Sequence, residues 1–542
     1  MDDYKYDVNP SRTVREYVLN LCVVMVICAT GYILYRFFPK VVAALLFSAL
    51  IVCTGMFLSN MVNISKDYKE TVILSGNAGD DPVITLSKNG KNVMVIMMDR
   101  MIGRFILEED PNLYASFDGF TYYPNTVSFG PKTNAGSPGL YGGYEYIPEK
   151  MNERDDLLLV DKHNEALKIM PVLFDEYGMD VTVFDPKYAG YSIVPDLSIY
   201  DDYPDIKKYI TMGNKSIMDG GNSQEHISEI LNRNFFCYGL FKVTPLFMQR
   251  TLYNNGNYNA IQKTYEEDNN DFEISGQSTF WLSESHGVEE RFMEAYYVLD
   301  KLDEITRINE DVPGSFLMMS NDATHEPMIL KEPEYVPAMD VDNKEYDSTH
   351  LTKHDAEGNV IQLDDPEYIH EVNLNKVKHY QINMCTLKRL GEYFDYLKEE
   401  GVYDNTRIII VSDHSTNTSI DDNYVIKGLD ENGNEKNYDC EQFSCALMVK
   451  DYNSTGFKID DDFMTNADVP SLAFKDIIEN PVNPFTGHRI DSEYKYQNQI
   501  KLFLTDHFHI TENNGYRFHP DPWFSVHDDI RVKENWSYLG YY

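Results

Sequence analysis

The chain has 542 residues, 43% of them apolar, which is enough for several average domains or for one large domain with appendages. It carries 87 acidic and 47 basic residues, for a formal net charge of −40. Such a surface repels nucleic acid, whose binding proteins present basic patches, so nucleic acid is excluded as a partner. An anionic substrate would need a local cation in its binding site, and a bound metal ion would supply one.

Two apolar segments lie near the N-terminus, at about Val18–Tyr35 and Val41–Met61. Each is close to the ~20 residues that a membrane-spanning helix needs. A signal peptide has one apolar core rather than two, and a soluble helical hairpin would show polar stripes that are absent here. We therefore predict a tail and two transmembrane helices within residues 1–62, followed by a polar linker at residues 63–90.

Two crossings place the N-terminal tail and the rest of the chain on the same side of a membrane. Arg36 and Lys40 in the short connecting loop favour a cytoplasmic loop, whereas Lys5, Arg12 and Arg15 in the tail favour the opposite orientation. The charges alone give only weak support to an external domain. The expectation is a multi-pass protein of the cell membrane with its large domain outside the cell.

Beyond residue 90 the pattern alternates between strands and helices. Strands are predicted at Asn92–Met98, Val181–Phe184, Ser315–Ser320 and Arg407–Ser412, the first of which is continuously apolar, as in a strand buried on both faces. A helix is predicted at Glu165–Tyr177, closed by Gly178. Another helix carries an apolar face and ends at Gly401; the face consists of Leu387, Leu390, Phe394 and Leu397. This alternation predicts an α/β fold with a central, mostly parallel sheet flanked by helices.

Acidic and imidazole side chains follow three of these strands. In chain order they are Asp99 after the first strand, Asp322 and His325 after the third, and Asp413 and His414 after the fourth. Because open parallel sheets bind ligands at the carboxyl ends of their strands, these side chains should share one rim. A single Asp after a strand is more often a helix cap or turn residue, but three together, one in an Asp-His pair, indicate a metal site. Mixed carboxylate and imidazole ligands suit a divalent ion such as Mn²⁺ or Zn²⁺.

A loop rich in small residues, Gly130–Gly139, follows the first predicted strand. Its small residues let the backbone approach a ligand closely, and Pro138 suits the first turn of a helix whose N-terminus would face an anion. A hydroxyl here, next to a divalent ion, could lose its proton and attack phosphorus. On its own, however, such a loop is more often structural than catalytic.

Several motifs occur in the order of one enzyme family. The segment YFDYLKEEGVYDNTRIIIVSDHS at Tyr393–Ser415 resembles the helix, turn and strand that precede the metal-binding Asp-His of sulfatase-like enzymes. The family's order is also kept by NVMVIMMD, GPKTNAGSP, SFLMMSNDATHEP, TNADVPSL and NPFTG, which together cover about Lys91–Arg489. The chain thus resembles the alkaline phosphatase superfamily, and within it the lipoteichoic acid synthase and phosphoglycerol transferase branch. That branch combines membrane helices with an external catalytic domain, so the resemblance implies a sulfatase-like catalytic domain over residues 91–542.

By position, the resemblance implies that Asp99, Thr133, Asp413 and His414 bind one divalent metal ion. Mn²⁺ is the expected ion, with Zn²⁺ and Mg²⁺ as alternatives. Thr133 would also be the catalytic nucleophile.

The resemblance also implies a set of substrate contacts. Lys132 matches the Lys-Thr pair of lipoteichoic acid synthases, and His325 resembles the histidine that contacts the phosphoryl group or activates the acceptor. A simple turn contact is the alternative for His325. Asp322 completes the expected substrate-binding set.

Three departures from the family narrow the function. Lipoteichoic acid synthases usually have Glu at the position of Asp99, which argues against a close match to that subfamily. Two-metal phosphatases have a histidine where this chain has Asn466, so a second metal site is expected to be missing, which favours transfer to a hydroxyl over hydrolysis. Sulfatases need a Cys or Ser in a C/S-x-P-x-R setting, and Thr133 followed by NAGSP cannot serve.

The sequence therefore predicts a phosphotransferase that moves a phosphoglycerol-type group from a phosphatidylglycerol-like lipid, through Thr133, to a cell-envelope glycopolymer. The alternatives are a phosphoethanolamine transferase, a phosphodiesterase or sulfatase-like hydrolase, and a non-catalytic protein that binds glycopolymer. The aromatic segment Phe235–Tyr253 is interpreted either as a core helix or as an interfacial patch near a lipid donor.

Overall fold

The computed structural model describes most of the chain, in two compact units. The described residues are 14–74, 81–103, 115–214, 236, 239–242, 244–246, 248–249, 284–346, 353–354, 360–361, 374–416, 422–497, 499–505 and 514–542. The first unit comprises residues 1–73 and 219–266, and the second comprises residues 74–218 and 267–542.

The first unit contains two long helices, α1 (Val14–Phe37) and α2 (Pro39–Leu74). Arg15–Phe37 and Pro39–Met61 are long and apolar enough to cross a membrane, and none of the residues in these windows is buried. Pro39 starts the second helix, where its missing N–H is not needed. The two predicted helices are confirmed, and α2 continues through the first part of the predicted linker.

The described part of the aromatic segment belongs to the same unit as these helices. The backbone N–H of Leu246 donates to Asn20 Oδ1 of α1 at 3.1 Å. Phe236 and Leu240 expose their apolar side chains, whereas Phe241 is buried, so both interpretations of the segment stay open.

The second unit is an α/β structure. Its helices are α3 (Thr133–Gly142), α4 (Pro148–Glu153), α5 (Leu159–Glu176), α6 (Glu290–Asp300), α7 (Leu302–Ile305), α8 (Leu374–Glu399), α9 (Val469–Phe474) and α10 (Tyr494–Gln497).

Its strands, in chain order, are β1 (Ile84–Ser87), β2 (Lys91–Met98), β3 (Phe120–Tyr122), β4 (Thr126–Val127), β5 (Asp180–Phe184), β6 (Lys207–Tyr209), β7 (Glu284–His286), β8 (Thr306–Asn309), β9 (Gly314–Asn321), β10 (Asp340–Asp342), β11 (Lys353–His354), β12 (Val360–Ile361), β13 (Thr406–Val411), β14 (Val425–Leu429), β15 (Glu435–Asp439), β16 (Leu447–Lys450), β17 (Lys458–Ile459), β18 (Met464–Thr465), β19 (Ile500–Phe503), β20 (Pro522–Val526) and β21 (Trp536–Tyr541).

An eight-stranded sheet with the order β17-β3-β16-β13-β2-β9-β5-β6 forms the centre of this unit. Strand β16 is antiparallel to both of its neighbours, and the remaining pairs in the sheet are parallel. Val95 in β2 lies opposite Ile409 in β13 and Met318 in β9. The predicted α/β fold with a mostly parallel sheet is confirmed, and the four predicted strands are its four central parallel strands.

Both faces of the central strand are covered. Val93, Val95 and Met97 belong to one core cluster with α3 and α5, in which Phe174 stacks on Phe316 with ring centroids 4.3 Å apart. The alternate residues of β2 point to the opposite face and are buried as well. A strand buried on both faces must be apolar throughout, which explains its continuous apolar run.

Helix α8 has the predicted apolar face, and all four of its predicted residues are buried. Phe394 packs on Phe117 and Phe120, with ring centroids 5.3 and 5.2 Å away. The helix is followed by Gly401 at a φ of 65°, a conformation that glycine adopts without strain.

Candidate metal centre and active site

The sheet topology brings two of the predicted ligands together. Strands β2 and β13 are parallel neighbours, with Met97 opposite Val411, so the residues after them emerge side by side. The exposed fractions of Asp99, Asp413 and His414 are 0%, 0% and 2%. Strand-end carboxylates at this depth are unusual, because an ionised carboxylate is rarely buried without a partner.

The potential ligand atoms of these three residues all lie within 4.8 Å of one another. His414 Nε2 is 3.9 Å from Asp99 Oδ1 and 3.6 Å from Asp413 Oδ2. The opposite ring nitrogen, Nδ1, donates to the carbonyl of Ser415 at 2.7 Å. In the neutral ring this contact leaves the lone pair on Nε2, facing the two carboxylates.

The other oxygens of the two carboxylates are already engaged. Asp413 Oδ1 accepts from the backbone N–H groups of Arg100, at 3.2 Å, and His414, at 2.9 Å. The Lys187 ammonium lies 2.8 Å from Asp99 Oδ2. The remaining oxygens, Asp99 Oδ1 and Asp413 Oδ2, are buried and accept no hydrogen bond from the described residues.

The three groups that converge therefore fit a divalent cation. Two buried carboxylate oxygens without partners are unfavourable on their own, and a metal ion would satisfy both. Burial, and next the charge of Asp99, raises the pKa of Asp413. Burial also lowers the pKa of His414, which favours the neutral ring that a metal ion requires.

Thr133 begins helix α3 beside this cluster, and its hydroxyl acts to lower the pKa of Asp413, against burial and the charge of Asp99, which raise it. Lys132 is the N-cap residue, is half-buried and makes no side-chain cap hydrogen bond. The helix is buried along its whole length. The predicted nucleophile thus lies next to the predicted metal ligands.

A close packing contact fixes the helix of Thr133 against Asp413. The amide nitrogen of Asn466 donates to the carbonyls of Gly136, at 3.0 Å, and of Asp413, at 3.1 Å. A Cβ at Gly136 would lie 2.4 Å from the Asp413 carbonyl oxygen, so only glycine allows this approach. Asn466 therefore acts as a bracket between the nucleophile helix and strand β13.

Lys187 is a site residue that the sequence motifs did not reveal. It follows β5 and lies between two carboxylates, 2.8 Å from Asp99 Oδ2 and 2.5 Å from Asp322 Oδ2. Burial acts to lower the pKa of Lys187, but Asp322 and Asp99 more than offset it and hold the pKa above its ordinary value. The sequence feature that could have identified Lys187 is its place shortly after a buried strand, the same feature that identified Asp99.

The loop that carries Lys187 is held in an unusual backbone conformation. Asp185, Tyr188 and Tyr191 have φ angles of 47°, 54° and 51°. His163 Nε2 donates to the Lys187 carbonyl at 2.8 Å. Residues in the left-handed region persist only where surrounding contacts enforce them, and such residues cluster at functional sites.

His325 lies on the other flank of Asp99, with its side chain 28% exposed. Its Nδ1 donates to Glu326 Oε1 at 3.0 Å, which orients the ring and leaves Nε2 free for another partner. Burial acts to lower the pKa of His325, but Asp99 and Glu326 more than offset it, so the pKa lies above its ordinary value. Glu326 was not predicted, although it directly follows His325 in the sequence.

No family model matches the chain, and no curated protein matches it. Solved structures do match it, 103 chains in all. One is the lipoteichoic acid synthase LtaP from Listeria monocytogenes, with 10% identity, a TM-score of 0.36 and coverage of 87% of this chain and 90% of that chain. Another is an alkaline phosphatase superfamily protein from Vibrio parahaemolyticus, with 11% identity, a TM-score of 0.37 and coverage of 87% and 86%.

A third match is the lipooligosaccharide phosphoethanolamine transferase EptA from Neisseria meningitidis, with 12% identity, a TM-score of 0.31 and coverage of 84% of this chain and 68% of that chain. Because these TM-scores are low, the function of this chain has to be derived from the residues of its own site.

Proposed function

We propose that this protein is a membrane-anchored, metal-dependent phosphotransferase with Thr133 as its nucleophile. One observation carries the proposal: the helix that begins at Thr133 is held against the backbone of Asp413, where Asp99 Oδ1, Asp413 Oδ2 and His414 Nε2 converge. A divalent ion held by Asp99, Asp413 and His414, with Thr133 as a fourth ligand, would neutralise the negative charge that develops on the phosphoryl oxygens. Mn²⁺ is the ion we expect, with Zn²⁺ and Mg²⁺ as alternatives, since their ligand preferences overlap.

The first half-reaction loads the enzyme. The Asp413 carboxylate orients the oxygen of Thr133, whose hydroxyl acts to lower the pKa of Asp413. The bond between Thr133 Oγ1 and phosphorus forms while the bond between phosphorus and the diacylglycerol oxygen breaks. The Thr133 hydroxyl releases its proton to solvent, and the departing diacylglycerol oxygen takes up one proton from solvent, so that the step is balanced.

The second half-reaction transfers the group to an acceptor hydroxyl. Because Glu326 holds Nδ1 of His325, Nε2 of the same ring is available to take the acceptor's proton. The acceptor oxygen bonds to phosphorus, the bond to Thr133 breaks, and Thr133 regains a proton. Lys132 directly precedes the nucleophile, and Asp322 pairs with Lys187. These two residues complete the proposed substrate contacts.

The proposed donor is a phosphatidylglycerol-like lipid and the proposed acceptor a cell-envelope glycopolymer. Two helices long and apolar enough to cross a bilayer support a membrane-bound enzyme that acts on a lipid. From the resemblance to phosphoglycerol transferases, we propose that residues 91–542 form the catalytic domain and that this domain lies outside the cell. The cations of the site suit an anionic phosphodiester in a chain whose net charge is −40.

The test is a labelling experiment on the full-length protein. Wild type, Thr133→Ala and Thr133→Ser are incubated with Mn²⁺ and a phosphatidylglycerol labelled in its head group, and the label on the protein is located by mass spectrometry. Label is expected on Thr133 in the wild type, at a reduced level on the serine variant, and not at all on the alanine variant. Turnover by Thr133→Ala, or label on another residue such as Ser137, would overturn the assignment.

A further inference from the structure

Arg100, directly after Asp99, is a second cation of the site. Its φ angle is 63°, in the left-handed region that residues with a Cβ rarely adopt. Its backbone N–H donates to Asp413 Oδ1 at 3.2 Å, so the turn that ends β2 also fixes Asp413. Arg100 thus follows one predicted metal ligand in the sequence and hydrogen-bonds another through its backbone. A strained residue in this place points to a role for its side chain, since backbone strain clusters at functional sites.

The positive charge of Arg100 influences the pKa values of several groups of the site. After burial, which has the largest effect on each group, the charge of Arg100 contributes to the pKa values of Asp99, His325, Glu326, His379 and His414. The geometry places the backbone of Arg100 against Asp413, whereas Lys187 pairs with Asp99 and Asp322. The residue is partly exposed, so a ligand can reach it.

The two cations differ in how far they are neutralised. Lys187 shares its charge with two carboxylates, at 2.8 and 2.5 Å. Among the residues that the structure describes, Arg100 has no carboxylate within ion-pair distance and no hydrogen bond to its guanidinium. A planar guanidinium in this state is suited to bind oxygen-rich or anionic groups.

The described carboxylates of the site are already committed. Asp99 and Asp413 face the metal cluster. Asp322 gives one oxygen to Lys187, and its other oxygen is buried away from solvent. Glu326 holds His325. An ammonium group entering beside Arg100 would therefore meet a cation, and the unpaired oxygen of Asp322 is buried rather than exposed to it.

We propose that Arg100 selects the lipid donor by the charge of its head group, favouring an uncharged or anionic head group over one that carries an ammonium. The inference rests on the proposed function, because it concerns the phosphodiester that Thr133 attacks. It separates a phosphoglycerol-type donor from a phosphoethanolamine donor, two classes that share the same phosphodiester chemistry.

The experiment is a competition between two donors. Vesicles with equal amounts of phosphatidylglycerol and phosphatidylethanolamine, each carrying a different isotope in its head group, are incubated with the full-length protein and Mn²⁺. The two labels on Thr133 are then counted for wild type, Arg100→Gln and Arg100→Glu. Arg517→Gln is the matched control, because Arg517 is exposed and pairs with the exposed Asp155 at 2.7 Å.

We expect wild type and the Arg517 control to prefer the glycerol donor by roughly 10- to 50-fold, the effect of one charge about 7 Å away at an effective dielectric constant near 20. Arg100→Gln should bring the ratio close to one, and Arg100→Glu should favour the ethanolamine donor. Equal labelling of the wild type by both donors, or an unchanged ratio in Arg100→Gln, would overturn this inference alone. Absence of label from either donor would overturn the proposed function, and this inference with it.

A second measurement does not depend on the folding of a variant. Soluble glycerophosphoglycerol and glycerophosphoethanolamine are compared as inhibitors of wild-type labelling by phosphatidylglycerol. The glycerol compound is expected to inhibit at a concentration that is lower than that of the ethanolamine compound by at least roughly 10-fold. Equal inhibition, or stronger inhibition by the ethanolamine compound, would overturn the selection by Arg100.

Discussion

Two clusters of buried charge in the second unit, one around Asp468 and one around Asp413, differ in how their polar atoms are satisfied. In the first, Asp468 accepts hydrogen bonds on both oxygens: Oδ1 from the Tyr144 hydroxyl, and Oδ2 from Lys495 and from the backbone N–H of Thr465, each at 2.9 Å. In the second, around Asp413, two carboxylate oxygens converge with an imidazole nitrogen, and neither oxygen accepts a hydrogen bond from the part of the chain that the structure describes.

The difference indicates different roles. A buried charge whose partners are all present is part of the folded framework, and removal of one partner leaves the other uncompensated. A buried cluster with unsatisfied atoms destabilises the empty protein, and such a cluster is retained where a ligand completes it. Mutations at the Asp413 cluster should therefore lower activity and leave stability intact. Mutations at the Asp468 cluster should lower stability.

The largest effect is expected for Asp413→Asn, on activity. Asn can keep the hydrogen bonds from the N–H groups of Arg100 and His414 but removes a charge that faces Asp99. Labelling of Thr133 should fall by roughly 10³-fold or more, because the charge-neutralising ion is lost. In chelator, urea titration should show a free energy of unfolding equal to or above that of wild type; a clear loss of stability would break the comparison.

The opposite result is expected for Asp468→Asn. The charge of Lys495, whose side chain is 3% exposed, would lose its partner, and the free energy of unfolding should fall by about 3–5 kcal/mol. The matched control is Asp155→Asn, at an exposed pair with Arg517, which should leave the denaturation midpoint almost unchanged. Equal midpoints for Asp468→Asn and the control would show that the satisfied cluster contributes nothing to stability.

Metal addition should act on one cluster only. At an Mn²⁺ concentration about 100 times the dissociation constant, the wild type should gain about 2.7 kcal/mol in unfolding free energy. Calorimetry should show this gain in Asp468→Asn and not in Asp413→Asn. A similar gain in Asp413→Asn would place the ion elsewhere.

The smallest effect is expected for Asn466→Ala, which removes two hydrogen bonds between the nucleophile helix and β13. Loss of these contacts should lower the free energy of unfolding by about 1–3 kcal/mol. Because the metal ligands remain, metal affinity should change less than the rate of Thr133 labelling. An unchanged labelling rate would mean that the bracket does not position Thr133.

The sequence predicted the Asp413 cluster because its strands are continuously apolar and the residue after each one is polar. It missed Lys187, since β5 is only five residues long and is followed by a loop whose left-handed residues have no signature in the sequence. It also missed the reversal of β16, whose pairing with β3 joins segments over 300 residues apart. Local periodicity reports burial, but it does not report which distant strand a short segment pairs with.

The most direct test of the account is anomalous scattering from crystals of the protein grown with Mn²⁺. We expect one anomalous peak. It should lie between Asp99 Oδ1, Asp413 Oδ2 and His414 Nε2, close to the Thr133 hydroxyl. A second ion about 4 Å away, the spacing of two-metal sites, would contradict the expectation that only one ion binds. It would also show that Asn466, in place of a histidine ligand, does not remove the second metal site. Absence of any peak at the cluster, with Mn²⁺ bound elsewhere in the protein, would contradict the central claim.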